Sequence, residues 1–239
     1  ERKRTMILRR LADAFRRQDW FTVAVETLIV VFGVFIGLQV NNWNEARQQA
    51  ALHATLLERL EEEFQSLEPV VADLVAVSRL AQTSTAEVVN ALRQDTPPAD
   101  EAAFRYALGR ANWAQNVPQV ATAYAELVAT GRLADIRDVE LRTALISYGD
   151  AHERLERIYP MATSIIFAPD SNYYRAVNWN MDPATWDEDG AILSYDWEAL
   201  RASRAEMQAW VTFQHDLALY AEAELQEIRA ILSLLEEDS

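Results

Sequence analysis

The N-terminal part of the chain contains one long apolar run, residues 21–40, with the sequence FTVAVETLIVVFGVFIGLQV. Glu26 is its only formally charged residue. As an α-helix, these 20 residues would rise about 30 Å, which matches the hydrocarbon thickness of a bilayer. Trp20 and Trp43 bracket the run at the positions of an aromatic belt. The pattern therefore predicts a single transmembrane helix over residues 20–43.

A cleaved secretory signal peptide is the competing interpretation of this run. Its apolar core would span about 7 to 15 residues and would end at a cleavage site made of small residues. Here the run is longer, and the residues that follow it are bulky or carry amides: Leu38, Gln39, Val40, Asn41, Asn42 and Trp43. We therefore expect an uncleaved anchor.

The charges on the two sides of the run are strongly asymmetric. Residues 1–19 carry seven Lys or Arg against three acids, whereas residues 45–239 carry 15 against 33. Because segments rich in Lys and Arg stay in the cytoplasm, we expect a bacterial inner-membrane protein with a cytoplasmic N-terminus and a periplasmic domain over residues 44–239. The basic tail is also expected to form an amphipathic helix on the anionic cytoplasmic leaflet, although its charge alone would serve as a topology signal.

One face of the predicted span carries an acid and two glycines. Glu26, Val30, Gly33 and Gly37 follow one another at spacings of four, three and four residues, so they share a side of the helix. Two small residues four apart allow another helix to approach closely. We expect this face to bind integral membrane protein subunits. The simpler interpretation is that Glu26 reaches the headgroups and that glycine is common in membrane helices.

Beyond the membrane, apolar positions recur at helical spacing, and no segment shows the period-two alternation of a strand. The sequence therefore predicts an all-α fold, in which the transmembrane helix continues into an extramembrane helical bundle with almost no sheet. Pro69 predicts a turn or a new helix start, and hence a helical hairpin. Further helices are expected over residues 100–111, 118–131 ending at Gly131, 138–159 ending before Pro160, and 201–236.

Residues 167–198 combine aromatic and acidic side chains more densely than the rest of the chain. We expect this stretch to be the outer contact surface, with Trp179 and Trp186 as partner-binding anchors, because aromatic anchors concentrate binding energy. The rival interpretation is an irregular cap whose rings pack on the end of the bundle. Its acids do not reproduce the spacing of a calcium loop.

Composition and motifs exclude several kinds of chemistry. The formal charge of −15 argues against a nucleic-acid partner, and the absence of Cys excludes thiolate catalysis and Cys-ligated metals. His53, His152 and His215 are far apart in sequence, and no metal-binding or catalytic motif surrounds them. His152 could share a metal with Glu153 or Glu156, but a buried histidine paired with a carboxylate is the better interpretation. We expect neither an enzyme nor a bound cofactor.

Two stretches resemble a widespread family of bacterial single-pass membrane proteins, classed as a domain of unknown function. The first is the membrane exit, whose letters LQVNNWNE occupy residues 38–45. The second covers residues 123–142 with the letters AYAELVATGRLADIRDVELR. The family signature falls on Tyr124, Glu126, Leu127, Gly131, Leu133, Leu141 and Arg142. The resemblance covers roughly residues 20–160 and implies a membrane topology rather than a chemistry.

These features together predict a non-catalytic accessory or scaffolding subunit of an inner-membrane complex, for which a respiratory or photosynthetic assembly would be a natural host. It would dock through its transmembrane helix and extend an acidic helical domain into the periplasm. The alternative is a periplasmic ligand-sensing domain that signals through a partner protein, because a tail of 19 residues is too short to form an output domain.

Overall fold

The computed structural model describes residues 20–182 and 191–237. The expected tail helix within residues 1–19 and the proposed anchor Trp186 lie outside these described residues. The described elements follow one another in this order: α1 (Trp20–Ala91), α2 (Glu101–Arg110), α3 (Thr122–Ala129), a 3-10 turn (Arg132–Asp135), α4 (Val139–Ile166), α5 (Asn172–Ala176), β1 (Val177–Trp179), β2 (Ile192–Tyr195), α6 (Trp197–Ala202) and α7 (Arg204–Glu237). The predicted all-α fold is confirmed.

The chain divides into two compact units, Glu1–Leu56 and Leu57–Ser239. In the first unit, every side chain described from Ala24 to Leu52 is exposed, including the apolar ones. Within the described part of the chain, one helix is long and apolar enough to cross a membrane. This helix is α1, near the N-terminus, and it associates the chain with a membrane only by its length and composition.

The second unit is built around three long helical segments: residues 57–91 of α1, α4 and α7. Leu74 of α1 shares a core cluster with Leu155 of α4 and Leu217 of α7. A second cluster, further along α1 and α4, brings Val88 and Ile166 together with Trp210. Since α1 and α4 advance together while α7 runs backwards, the first two segments are parallel and α7 is antiparallel to both.

Side-chain caps explain where several of these helices begin. Asp100, Asp138 and Asp196 accept hydrogen bonds from the backbone N–H groups three residues later, at the starts of α2, α4 and α6. Such caps satisfy one of the otherwise unpaired N–H groups of a first turn. At the other end of α3, Gly131 has a φ of +70°, which confirms the helix end predicted from this glycine.

Both prolines that were expected to interrupt helices lie inside continuous ones, so these two predictions are wrong. Pro69 lies within α1 and Pro160 within α4. Each ring is on the solvent-exposed side of its helix, where the carbonyl group that loses its N–H partner can bond to water. The neighbouring apolar positions still face the core. The predicted hairpin at Pro69 is therefore one uninterrupted helix.

The segment between α5 and α6 contains a short antiparallel hairpin, β1 paired with β2, with an irregularity after Asn178. This agrees with the expectation of almost no sheet. The predicted last helix over residues 201–236 is confirmed as α7, which begins three residues later, at Arg204, and is preceded by the separate short helix α6. The two helices are separated at Ser203, whose hydroxyl donates to the carbonyl of Leu200 at 2.7 Å and thereby ends α6.

Candidate functional sites

The predicted docking face of α1 is open along its whole length. Glu26, Val30, Gly33 and Gly37 are all exposed on this helix. A Cβ atom placed on Gly33 or Gly37 would meet nothing within 4 Å, so the backbone is accessible to a neighbouring helix at both positions. The partner-binding role of these four residues stays a prediction.

The residues that follow the apolar run make their own local contacts. The Asn41 side-chain amide donates to Glu45 Oε1 at 2.6 Å, and the Arg47 guanidinium lies 5.9 Å from the centre of the Trp43 ring. Each pair is one helical turn apart on an exposed helix. An amide, an indole and a guanidinium are all side chains suited to a membrane interface.

The aromatic stretch contributes rings to the core of the second unit. Tyr173 is fully buried, and its ring centre lies 4.8 Å from that of the equally buried Trp210. Its hydroxyl donates to the carbonyl of Leu108 at 2.7 Å. Trp197 donates its indole N–H to the carbonyl of Asp95 at 3.1 Å. These contacts fasten the stretch to α7, α2 and the loop after α1.

Trp179, the described anchor of the proposed contact surface, is half-buried at the margin of this cluster. Its ring centre lies 6.2 Å from that of Tyr173 and 6.0 Å from that of Tyr174. Its indole nitrogen is buried and has no hydrogen-bond partner among the described residues. Exposed apolar side chains nearby in sequence, Met181 and Leu193, leave part of this region open to a partner. The contact-surface role of Trp179 therefore stays a prediction. Its ring also has a structural role, because it packs against the aromatic cluster.

A buried ionisable pair joins α4 to α7. His152 is 5% exposed and Glu224 is fully buried, and His152 Nδ1 lies 2.8 Å from Glu224 Oε1. His152 Nε2 lies 3.5 Å from the exposed Glu156. Burial acts to lower the pKa of His152, but Glu224 and Glu156 together outweigh it and raise the pKa above its ordinary value. The structure thus confirms the expected pairing of His152 with a carboxylate.

Sequence reasoning missed Glu224 as the partner, although a signal was present. Ala221 and Ile228 are apolar residues of the predicted last helix, and they lie three and four residues from Glu224. An acid on the apolar face of a helix must find a partner or lose its charge. Searching the other helices for a histidine on an apolar face would have pointed to His152.

A cluster of tyrosines lies beside this pair. Tyr148 is fully buried, and its hydroxyl accepts a hydrogen bond from the backbone N–H of Ala121 at 3.2 Å. Burial raises the pKa of Tyr148 far above its ordinary value. The Tyr124 ring packs edge-on against Tyr148, with centres 5.2 Å apart. A Cβ atom on Gly149 would collide with the Tyr124 hydroxyl. The absence of a side chain at Gly149 therefore leaves the space that the Tyr124 ring occupies.

The residues that carry the resemblance within residues 123–142 are positioned by packing and local hydrogen bonds. Leu127 and Leu141 are buried, and the Arg142 guanidinium donates to the carbonyl of Ile136 at 3.0 Å. Glu126 pairs with Arg59 of α1 at 3.1 Å. In the described structure these residues hold α3 and its following turn between α1 and α4. Their observed contacts are structural.

A further polar network ties α1 to α7 on the surface. Arg79 makes two 2.7 Å hydrogen bonds to the carboxylate of Glu222, and His215 Nδ1 lies 3.4 Å from the same guanidinium. The hydrogen bonds from Arg79 lower the pKa of Glu222. Nothing in the sequence spacing indicated this pair, because its members are 143 positions apart.

The described residues include no group of three or more His, Asp or Glu side chains placed to hold a metal ion. A solvent-open groove of about 370 Å³ runs beside α4, where Val139, Thr143 and Glu227 line it.

The chain matches no family model, no curated protein and no solved structure. The resemblance to the single-pass membrane family therefore rests on the sequence motifs alone.

Proposed function

We propose that this protein is a non-catalytic accessory or scaffolding subunit of an inner-membrane complex, and that it docks with integral membrane subunits through its transmembrane helix. The observation that carries the proposal is the open face of α1. A Cβ atom added there to Gly33 or Gly37 would have no neighbour within 4 Å, and Glu26 is exposed on the same side. An acid in lipid favours a protein or aqueous neighbour.

The proposed topology places the N-terminus in the cytoplasm and residues 44–239 in the periplasm. Its support is the excess of Lys and Arg before the span and of acids after it. The same arrangement follows from the resemblance to the single-pass membrane family. In this proposal the anionic cytoplasmic leaflet binds the basic tail, while the second unit presents an acidic surface outside.

Replacing both glycines tests the docking face. Gly33→Leu with Gly37→Leu should release the protein from its complex, because the larger side chains force two helix backbones apart. The matched control is Val31→Leu with Phe35→Leu, which changes side chains on the opposite side of the same helix. The measurement is co-purification of membrane subunits after extraction in mild detergent.

Insertion needs its own control in this experiment. A reporter fused after Ser239 that is active only in the periplasm should give the same signal in the parent, the glycine variant and the control. Loss of co-purification in the glycine variant alone supports docking through this face. Equal co-purification of both variants would contradict it, and reporter activity in the cytoplasm would contradict the proposed topology.

A periplasmic ligand-sensing domain is the second candidate. The groove beside α4, with apolar Val139, the Thr143 hydroxyl and the Glu227 carboxyl at its margin, is the feature that favours it. A sensor of this kind would pass its signal to a partner across the membrane. Thr143→Trp, which fills the groove, would then abolish the response while leaving co-purification intact.

A further inference from the structure

The seam between α4 and α7 contains a buried ionisable pair beside apolar side chains. Around it, Leu155 of α4 packs with Leu217 and Ala221 of α7 in the core. Glu224 is fully buried, and its second oxygen, Oε2, has no hydrogen-bond partner among the described residues. The compensation of its charge therefore depends on His152.

We propose that His152 and Glu224 form a pH-operated clasp: a proton on His152 holds α4 against α7, and loss of that proton loosens this seam of the bundle. A neutral imidazole could still donate one hydrogen bond to Glu224, but it would leave a buried carboxylate charge without a compensating cation. Uncompensated buried charges destabilise a folded state strongly. The clasp does not depend on the proposed docking through the membrane helix.

The second ring nitrogen of His152, Nε2, is buried but lies beside a surface carboxyl group. His152 Nε2 faces Glu156 at 3.5 Å, and the Glu156 side chain is 61% exposed. The other ring nitrogen, Nδ1, faces the buried Glu224. The imidazole thus contacts a buried carboxyl group through Nδ1 and lies near a surface carboxyl group through Nε2, and histidine is the side chain whose charge changes most readily near neutral pH.

The other titratable groups around the clasp have defined places. On α4 and α3, Tyr148 and Tyr124 have pKa values raised by burial, so they stay neutral as His152 titrates. On α1, Glu63 accepts from the Ala123 N–H at 2.8 Å and Glu68 pairs with Arg229 at 2.8 Å. Among the described residues, the charged groups that act on the pKa of His152 are Glu224 of α7 and Glu156 of α4. Glu224 and Glu156 also act on Tyr148, and Asp150 acts on Tyr124.

The direction of the pH dependence follows from the raised pKa of His152. A group with a folded-state pKa above its unfolded value stabilises the fold fully below the unfolded value, which is about 6.5 for histidine. That contribution is lost as the pH rises through the folded-state value. The clasp is therefore closed in mildly acidic conditions, and it opens from about pH 6.5 upward.

Thermal unfolding of the full-length chain in detergent micelles, followed by circular dichroism at several pH values, tests the clasp. The melting temperature of the parent should fall by about 3 °C or more between pH 6 and the alkaline end of the transition. His152→Gln should remove this fall. The control His215→Gln changes an exposed histidine on α7 and should keep it. A His152→Gln variant with the parental pH dependence would overturn the proposal.

A second measurement covers the case in which His152→Gln does not fold. The chain has three histidines, so NMR spectra of the parent, His53→Gln and His215→Gln assign the remaining imidazole signal to His152. We expect that signal to titrate above the ordinary value. Amide exchange in α4 and α7, corrected for its intrinsic pH dependence, should accelerate over the same range. Titration below the ordinary value, or unchanged protection of these amides, would overturn the clasp.

Discussion

The two units use the same apolar residue types in opposite ways. In the first unit, Ile29 and Phe32 are 65% and 56% exposed, whereas Leu60 and Phe64 in the second unit are fully buried. Residues 27–40 are apolar on nearly every side of the helix, while from Leu56 onward the apolar positions of α1 form one stripe. A helix that is apolar all round requires a surrounding apolar medium, and a helix with one apolar stripe requires other helices.

The comparison also separates two kinds of acid. Glu26 is exposed on an apolar helix, and its environment would come from lipid or another subunit. Glu224 is buried in protein and already has its partner in His152 at 2.8 Å. In the proposed docking the first acid would interact outside the chain, whereas the interaction of the second is completed by the fold itself.

The largest expected contrast between the units is in the cost of removing an apolar side chain. Trp210 is fully buried in the second unit, so Trp210→Ala should lower the free energy of unfolding by about 3 to 5 kcal/mol. Leu28, in the first unit, is 57% exposed, and Leu28→Ala should leave that energy unchanged. Denaturant unfolding of the full chain in micelles measures both. Similar losses for the two variants would break the comparison.

The sequence predicted the parts of the fold that depend on the periodicity of apolar residues and on residues that begin or end helices. α2 begins within a residue of the helix predicted over residues 100–111, and α3 ends beside Gly131, as predicted. The predicted interruptions at the two prolines were wrong, because a proline interrupts a helix only where its missing hydrogen bond or its ring cannot be accommodated. Pro69 and Pro160 are exposed, and exposure is a tertiary property that single-sequence spacing does not reveal.

The candidate sites show the same division. Glu26, Gly33 and Gly37 could be placed on one face from the sequence because they are near neighbours on one helix, and their role in docking stays a prediction. The pair of His152 with Glu224 is separated by 72 positions, so its geometry depends on how α4 packs against α7. The sequence could indicate that His152 needs a carboxylate, but it could not choose one acid among the many in the domain.

A smaller effect should decide between the two interpretations of the aromatic stretch. Trp179 is half-buried against Tyr173 and Tyr174. We expect Trp179→Ala to lower the free energy of unfolding by about 2 kcal/mol, less than a fully buried tryptophan would lose. Trp186→Ala is the companion variant, and unfolding and partner co-purification are measured for both.

The two outcomes of this experiment are distinct. A contact residue would lose about 2 kcal/mol or more of binding with its melting temperature nearly unchanged. If Trp186→Ala behaves in this way while Trp179→Ala destabilises the fold, the stretch is both a cap and a contact surface. Destabilisation by both variants without any specific loss of binding would reject the contact-surface prediction.

The smallest expected effect compares glycines in the two units. A Cβ atom on Gly149 would lie 2.9 Å from Tyr124 Cζ and would collide with the hydroxyl, whereas Gly33 has open space around it. Gly149→Ala should therefore destabilise the second unit by about 1 to 2 kcal/mol through overpacking, and Gly33→Ala should leave its unfolding unchanged.

Adding Tyr124→Phe to Gly149→Ala removes the colliding hydroxyl and should recover part of the lost stability. The measurement is denaturant unfolding of all three variants. If the double variant is no more stable than Gly149→Ala, the Tyr124 hydroxyl is not the source of the cost, and the packing of α3 on α4 does not depend on this close approach.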